Sequence, residues 1–205
     1  MKDCKTTKRE AIEWINIRWH DEAETARLPR VLLIGDSIVA GHATLLRDKL
    51  KGRFGIDYFA TSKIVSDHEF MPDLLFMLGR YKYDMIIFNN GLHGSAIDDG
   101  AYGKALFATL SVLKQYAPQL VWRNSTPCYP SSDKKTNPWI TRVQKRNRIA
   151  SKEVAKLDIL TIDCYKVLAG KPELSSDGAH LRRKAIVSWL IRKPISLRNI
   201  LPKPA

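Results

Sequence analysis

A serine, an aspartate and a histidine stand in this chain at positions where their types could support nucleophilic catalysis. Ser37 follows Gly35-Asp36, directly after the apolar run Arg30-Val31-Leu32-Leu33-Ile34. A serine at the tip of a buried strand, beside a glycine that permits a tight turn, is placed where a nucleophile acts. If a helix starts there, the Ser37 N–H also points at an oxyanion formed next to the hydroxyl. Alone, Gly-Asp-Ser usually marks a capping turn, and Asp36 is read as the anchor of that turn through backbone hydrogen bonds, not as a second catalytic carboxylate.

A serine at neutral pH needs a base, and the base needs an orienting partner. Of the five histidines (His20, His42, His68, His93 and His180), only His180 lies three positions after an aspartate, in the polar segment Ser175-Ser176-Asp177-Gly178-Ala179-His180. One turn can bring the Asp177 carboxylate to one imidazole nitrogen and leave the other facing Ser37. An isolated Asp-x-x-His pair reads as a capping turn; this one gains weight because its loop should open on the same sheet edge as Ser37. A third polar segment, Asn89-Asn90-Gly91-Leu92-His93-Gly94, follows another apolar run. Its amides and imidazole suit oxyanion donation by Asn90 or His93, with Asn89 and Gly91 close to substrate; an ordinary turn with Asn and Gly in left-handed conformations has the same composition. His42 and His68 have no motif and are read as structural or surface histidines.

The elements that must position these groups can be read from periodicity. Five short apolar runs, at Arg30–Ile34, Ile56–Ala60, Met85–Phe88, Leu120–Trp122 and Ile159–Ile162, alternate with helical stretches. That is the pattern of a parallel sheet covered on both faces, where ligands sit beyond the carboxyl ends of the strands. Tyr102, Leu106, Leu110, Leu113 and Ala117 recur at helical spacing after Asp98 and stop before Pro118. Asn137-Pro138 opens another helix with the stripe Ile140, Val143, Asn147, Ala150, Val154 and Leu157; Asn147 is its polar intruder. A last helix is expected from about Leu181 to Ile191. Ala11, Ile12, Ile15 and Trp19 predict a short amphipathic helix, so that residues 1–28 form a helix and connector, 29–193 the main domain and 194–205 an irregular tail.

Composition narrows the class. A chain of 205 residues that is 44% hydrophobic fits one ordinary domain and is too apolar for disorder. No run approaches the roughly 20 apolar residues of a membrane helix. The first ten residues lack an apolar signal core, so the chain as written reads as cytoplasmic, or as periplasmic or secreted if a leader was removed. Cys4, Cys128 and Cys164 are odd in number and far apart, which argues against a disulfide framework and a structural zinc site. The net charge of +13 is uneven: residues 119–205 carry 18 Lys and Arg against 6 Asp and Glu, whereas residues 1–118 are nearly balanced. Such a half suits an acidic partner, or it simply keeps the surface solvated.

Gly35-Asp36-Ser37 near one end and Asp177-x-x-His180 near the other, flanking a five-strand α/β pattern, resemble the first and last blocks of the SGNH/GDSL hydrolase superfamily. The segment from Phe88 to Gly94 is similar to that of a bacterial subgroup associated with carbohydrate metabolism. The resemblance runs from about Pro29 to Ile191 and implies a three-layer α/β/α flavodoxin-like sandwich with a five-stranded parallel sheet. It further implies a Ser37–His180–Asp177 triad, no cofactor and no metal. The family's third block is Gly-x-Asn-Asp; with Gly91 as its glycine, His93 stands in place of the asparagine. Its second block offers a glycine N–H, where this chain has Ser62 and Lys63, whose own N–H groups can serve.

The resulting expectation is a serine esterase acting on small O-acyl esters, O-acetyl above all, on a carbohydrate that can be acidic. Two alternatives are an O-acyltransferase with the same triad and a basic nucleic-acid-binding module. The module rests on Arg142, Lys145, Arg146, Arg148, Lys152 and Lys156, but no nucleic-acid motif and no interleaved aromatics accompany them. The turn from Gly35 to Gly41 is neither a dinucleotide fingerprint nor a phosphate loop.

Overall fold

Strands buried on both faces need unbroken apolar runs, and the run at Val31–Ile34 forms the sheet's centre. The computed structural model describes residues 12–20, 23, 26–130 and 137–182. Among these, six strands form one sheet: β1 (Ile15–Arg18), β2 (Arg30–Gly35), β3 (Gly55–Thr61), β4 (Met85–Phe88), β5 (Gln119–Arg123) and β6 (Leu160–Ile162). Their order is β1-β3-β2-β4-β5-β6. Strands β2 to β6 are parallel to their neighbours, and β1 is antiparallel to β3.

The helices are α1 (Ser37–Leu50), α2 (Phe70–Leu78), α3 (Asp99–Leu113), α4 (Pro138–Lys156) and α5 (Cys164–Leu168), with a 3-10 turn at Pro172–Leu174. Side chains alternate across a strand, so β2 sends Leu32 and Ile34 into a core with α2, α3 and α4. Val31 and Leu33 face the other way, into a core with α1 and Cys164. Three layers result, and the fold is the α/β sandwich expected. The helix starts follow their capping residues: the Asp98 carboxylate accepts from the N–H groups of Gly100 and Ala101, and Asn137 accepts from Trp139 N–H ahead of the proline turn.

The helix expected around Ile12, Ile15 and Trp19 is instead strand β1, which makes the sheet six-stranded; Ala11 lies outside the described residues. The segment Ile15-Asn16-Ile17-Arg18 also alternates with period two, and β3 presents an open edge of backbone donors and acceptors that a strand can pair. Ile15 pairs with Thr61 and Arg18 with Tyr58. The helix expected from Leu181 to Ile191 falls almost wholly outside the described residues, as does the tail from Pro194.

Toward the amino end of β3, Asp57 is fully buried in a polar cluster. Its Oδ1 accepts from the His20 backbone N–H at 2.9 Å and from the His20 ring, and its Oδ2 accepts from the Tyr83 hydroxyl at 3.2 Å. Arg30 Nη2 donates to His20 Nε2 at 2.8 Å. A buried carboxylate needs such partners.

Candidate active site

Strand β2 ends at Gly35 and α1 starts at Ser37, with Asp36 between as N-cap, its Oδ1 accepting from Ile38 N–H at 2.9 Å. This leaves the Ser37 hydroxyl at the carboxyl edge of the sheet, next to the first turn of a helix.

The segment Ser175–Leu181 reaches the same edge as a tight turn, closed by a bridge between Ser175 and Leu181. Asp177 Oδ1 accepts from the N–H groups of Ala179 and His180 at 3.0 and 2.7 Å. Asp177 Oδ2 lies 2.6 Å from His180 Nδ1, and His180 Nε2 lies 2.8 Å from Ser37 Oγ. An ionised carboxylate only accepts, which places the ring proton on Nδ1 and leaves Nε2 to accept from the serine hydroxyl. Partial burial works to raise the pKa of Asp177, but the donors of His180 and Ala179 outweigh it and hold the carboxyl below its ordinary value. Beside Ser37 and His180 is a cleft of about 300 Å³ lined also by Ile38, Gly41, Thr44, Leu45 and Leu181.

Gly178 makes the turn possible. Its φ is +90°, and a Cβ there would meet the Tyr129 carbonyl oxygen at 2.5 Å. Tyr129 N–H donates to Gly178 O at 2.7 Å, and the Tyr129 hydroxyl donates to Leu168 O at 2.5 Å, so the segment after β5 fastens the turn to α5. Cys128, beside it, is buried near Asp36 and Asp177; burial pushes its thiol up to about 12, so it stays protonated. Cys164 is likewise buried.

Most of the expected oxyanion and substrate groups are turned into the fold. Ser62 N–H donates to Trp14 O at 3.2 Å, because the unexpected strand β1 leads in from Trp14 along this edge. Lys63 N–H donates to Thr61 Oγ1 at 3.1 Å, and its ammonium binds Glu69 and Asp73. Asn90 braces the loop after β3, its amide donating to Lys63 O at 3.0 Å and its carbonyl accepting from Val65 N–H at 3.2 Å. Asn89 donates to Arg123 O and Ser125 Oγ, and Gly91 is buried against Ser125. These amides close the backbone polar groups that a central parallel strand exposes where it ends. His93 is half-buried, with its ring edge-on to Trp14 at 6.1 Å between centroids.

The loop Gly91–Gly94 is held by residues whose role the sequence reading missed. Arg146, only 2% exposed, donates to the carbonyls of Gly91, His93 and Gly94, and Arg142 donates to Leu92 O at 3.2 Å. The available signal was position: Arg146 sits three residues after Val143 and four before Ala150, within the apolar stripe of α4. Asn147, the polar intruder, grips the Ser125 backbone at both N–H and C=O, each at 2.9 Å. With Lys145 paired to Asp99 and Lys156 to Glu153, four of the six basic residues of this series on α4 are engaged within the molecule.

His42 is buried one turn beyond Ser37, donating from Nδ1 to Ile38 O and accepting at Nε2 from Arg123 Nη1 at 3.1 Å. Burial first, and the neighbouring guanidinium second, lower its pKa to about 3. His68 is half-exposed.

The α/β fold is that of solved GDSL-like lipases, acylhydrolases and acetyl xylan esterases. An acetyl xylan esterase superposes with a TM-score of 0.60 at 17% identity, covering 77% of this chain and 93% of the other. A GDSL-like lipase of Bacteroides thetaiotaomicron gives 0.62 at 13% identity, covering 76% and 80%. An acetylxylan esterase of Geobacillus stearothermophilus gives 0.58 at 14% identity, covering 78% and 89%. No family model and no curated protein matches the sequence. Among the described residues no helix is long and apolar enough to cross a membrane.

Proposed function

We propose that this protein is a serine esterase that removes small O-acyl groups, acetyl above all, from a carbohydrate through an acyl-enzyme. The observation that carries the reading is the continuous chain of short contacts from Asp177 through His180 to Ser37, 2.6 and 2.8 Å long. As Ser37 Oγ attacks the ester carbonyl, its proton passes to His180 Nε2, and Asp177 stabilises the imidazolium that forms. The tetrahedral oxyanion is met by the Ser37 N–H at the amino end of α1. His93, in the position where the resembling family has its asparagine, supplies a second donor from the loop held by Arg146. Collapse of the intermediate breaks the bond from the acyl carbon to the sugar oxygen, and His180 gives its proton to that departing oxygen. Water then attacks the acyl-serine, giving its proton to His180, which passes it to Ser37 Oγ as the acyl C–O bond breaks and acetate leaves.

The small cleft beside Ser37 favours a short acyl chain. The carbohydrate half of the reading comes from the resemblance of Phe88–Gly94 and from structural neighbours that are acetyl xylan esterases. Fluorophosphonate labelling with peptide mapping tests the nucleophile. Ser37 is expected to carry the label, and His180→Ala to abolish it. Unlabelled Ser37 in folded protein would overturn the assignment.

A further inference from the structure

Between α4 and α5 runs an open groove of about 990 Å³ that the proposed chemistry does not use. Its walls include Asn124, at the end of β5, and Tyr165, just past the end of β6. The groove therefore opens at the carboxyl edge of the sheet, as Ser37 does. With neighbouring strands about 4.8 Å apart, β5 and β6 lie roughly 10 and 14 Å from β2. Tyr165 also packs against the cluster of Leu92, Cys128, Val143 and Ala179, which underlies both the Gly91–Gly94 loop and the turn carrying His180.

The groove is cationic. Arg148, Lys152 and Lys166 line it, and none of the three is ion-paired among the described residues. Lys145, also on the wall, is already paired to Asp99. Asp163 is the single carboxylate among the lining residues, and its Oδ1 is taken up by Asn124 Nδ2 at 2.7 Å and Lys166 N–H at 2.9 Å. Arg148 and Lys152 are one helical turn apart on α4, about 6 Å along its axis, so their charges form a row along the groove.

We propose that this groove binds a carboxylate-bearing glycan, so that the esterase acts on acidic, uronate-containing polysaccharides. The inference rests on the esterase reading for its catalytic consequence but not for the binding itself. Arg148 can meet a uronate carboxylate with two parallel N–H groups, the lysines supply point charges, and Gln144 and Ser151 offer hydrogen bonds to sugar hydroxyls. Single-stranded nucleic acid is disfavoured because its binding sites stack successive bases on aromatic rings, and Tyr165 is the one aromatic side chain on this wall, half-buried and tied by its hydroxyl to Gln144.

The test is calorimetric titration of the full chain with hexagalacturonate, neutral xylohexaose and a short single-stranded oligonucleotide at low and physiological salt. Two variants accompany it: R148E/K152E/K166E and the milder R148Q/K152Q/K166Q. Hexagalacturonate is expected to bind the wild type in a salt-sensitive way and to weaken at least about tenfold in the reversed variant. The neutral variant should lie between, and turnover of 4-nitrophenyl acetate should be unchanged in both. Equal affinity of the three proteins, tighter binding of xylohexaose, or preference for the oligonucleotide through the same residues would overturn the proposal. A wild type that binds hexagalacturonate yet neither hydrolyses 4-nitrophenyl acetate nor labels at Ser37 would sink the esterase reading and leave the groove assignment standing.

Discussion

The proposed chemistry rests on a few hydrogen atoms at the tip of β2. With the Nδ1 proton of His180 fixed by Asp177, the free electron pair of Nε2 points at Ser37. Asp177→Asn presents an amide that can turn its N–H toward the ring and favour the wrong tautomer. Turnover of 4-nitrophenyl acetate is expected to fall by roughly 10³–10⁴-fold, the order seen when such an aspartate is neutralised elsewhere. Near-unchanged KM would separate this from loss of binding. A different titration is expected of His42, whose pKa of about 3 keeps it neutral in the folded protein at pH 5. The unfolded chain takes up that proton near pH 6.5. A depressed histidine therefore costs stability as pH falls from about 6.5 toward 3, by up to about 1.4 kcal/mol per pH unit. His42→Gln, which can still donate to Ile38 O and accept from Arg123, should flatten this part of the profile in denaturant titrations at pH 7 and pH 5. An unaltered slope would contradict a neutral buried imidazole.

Elements, not single residues, decide which polar groups reach solvent at this edge. That Ser37, Asp177 and His180 converge was legible because each lies at an element boundary, where a strand end or a short turn fixes direction over one to three residues. Ser62, Asn89 and Asn90 were not, since their bonds depend on partners far along the chain: Trp14 just before β1, Val65, Arg123 and Ser125. The misread first element explains one of these engagements, for Trp14 takes the Ser62 N–H. Parallel strands were readable from their apolar runs, while four residues of edge strand could not be told from a helical stripe without knowing that β3 had an open outer edge. Helix α4 is the other unexpected contributor. Removing Arg146 strands three loop carbonyls in a buried setting, at about 1–3 kcal/mol each when unsatisfied. Arg146→Met is thus expected to lower stability by at least roughly 3 kcal/mol in urea titration, and residual folded protein should show reduced kcat as the Gly91–Gly94 loop loosens. Gly178→Ala, by contrast, strains the turn at φ +90° and pushes on the Tyr129 carbonyl, so its main effect should fall on turnover. A variant with wild-type kcat would show that the turn tolerates the change.

Across the whole molecule, polar groups collect at the two ends of the sheet and the apolar cores fill the space between. The carboxyl end holds Ser37 and its neighbours; the other end holds Asp57 with His20, Tyr83 and Arg30. Four residue steps of β3 separate Asp57 from Thr61, about 13 Å along an extended strand, so a change at Asp57 should leave the Ser37 edge in place. Its cost is thermodynamic. Asp57→Leu removes the acceptor for His20 N–H, the His20 ring and the Tyr83 hydroxyl, leaving buried donors unmatched beside the Arg30 guanidinium. Breaking a buried charged cluster by deleting one member costs about 3–5 kcal/mol. For a domain of this size each kcal/mol moves Tm by about 2–4 °C, so a fall of roughly 6–20 °C is expected by calorimetry. At a temperature where the variant is still folded, kcat on 4-nitrophenyl acetate and the rate of Ser37 labelling should match the wild type. If both fell together with stability, the two ends of the sheet would be coupled, and the cluster around Asp57 would have to be counted as part of the machinery that holds β1, and with it Trp14, against the site.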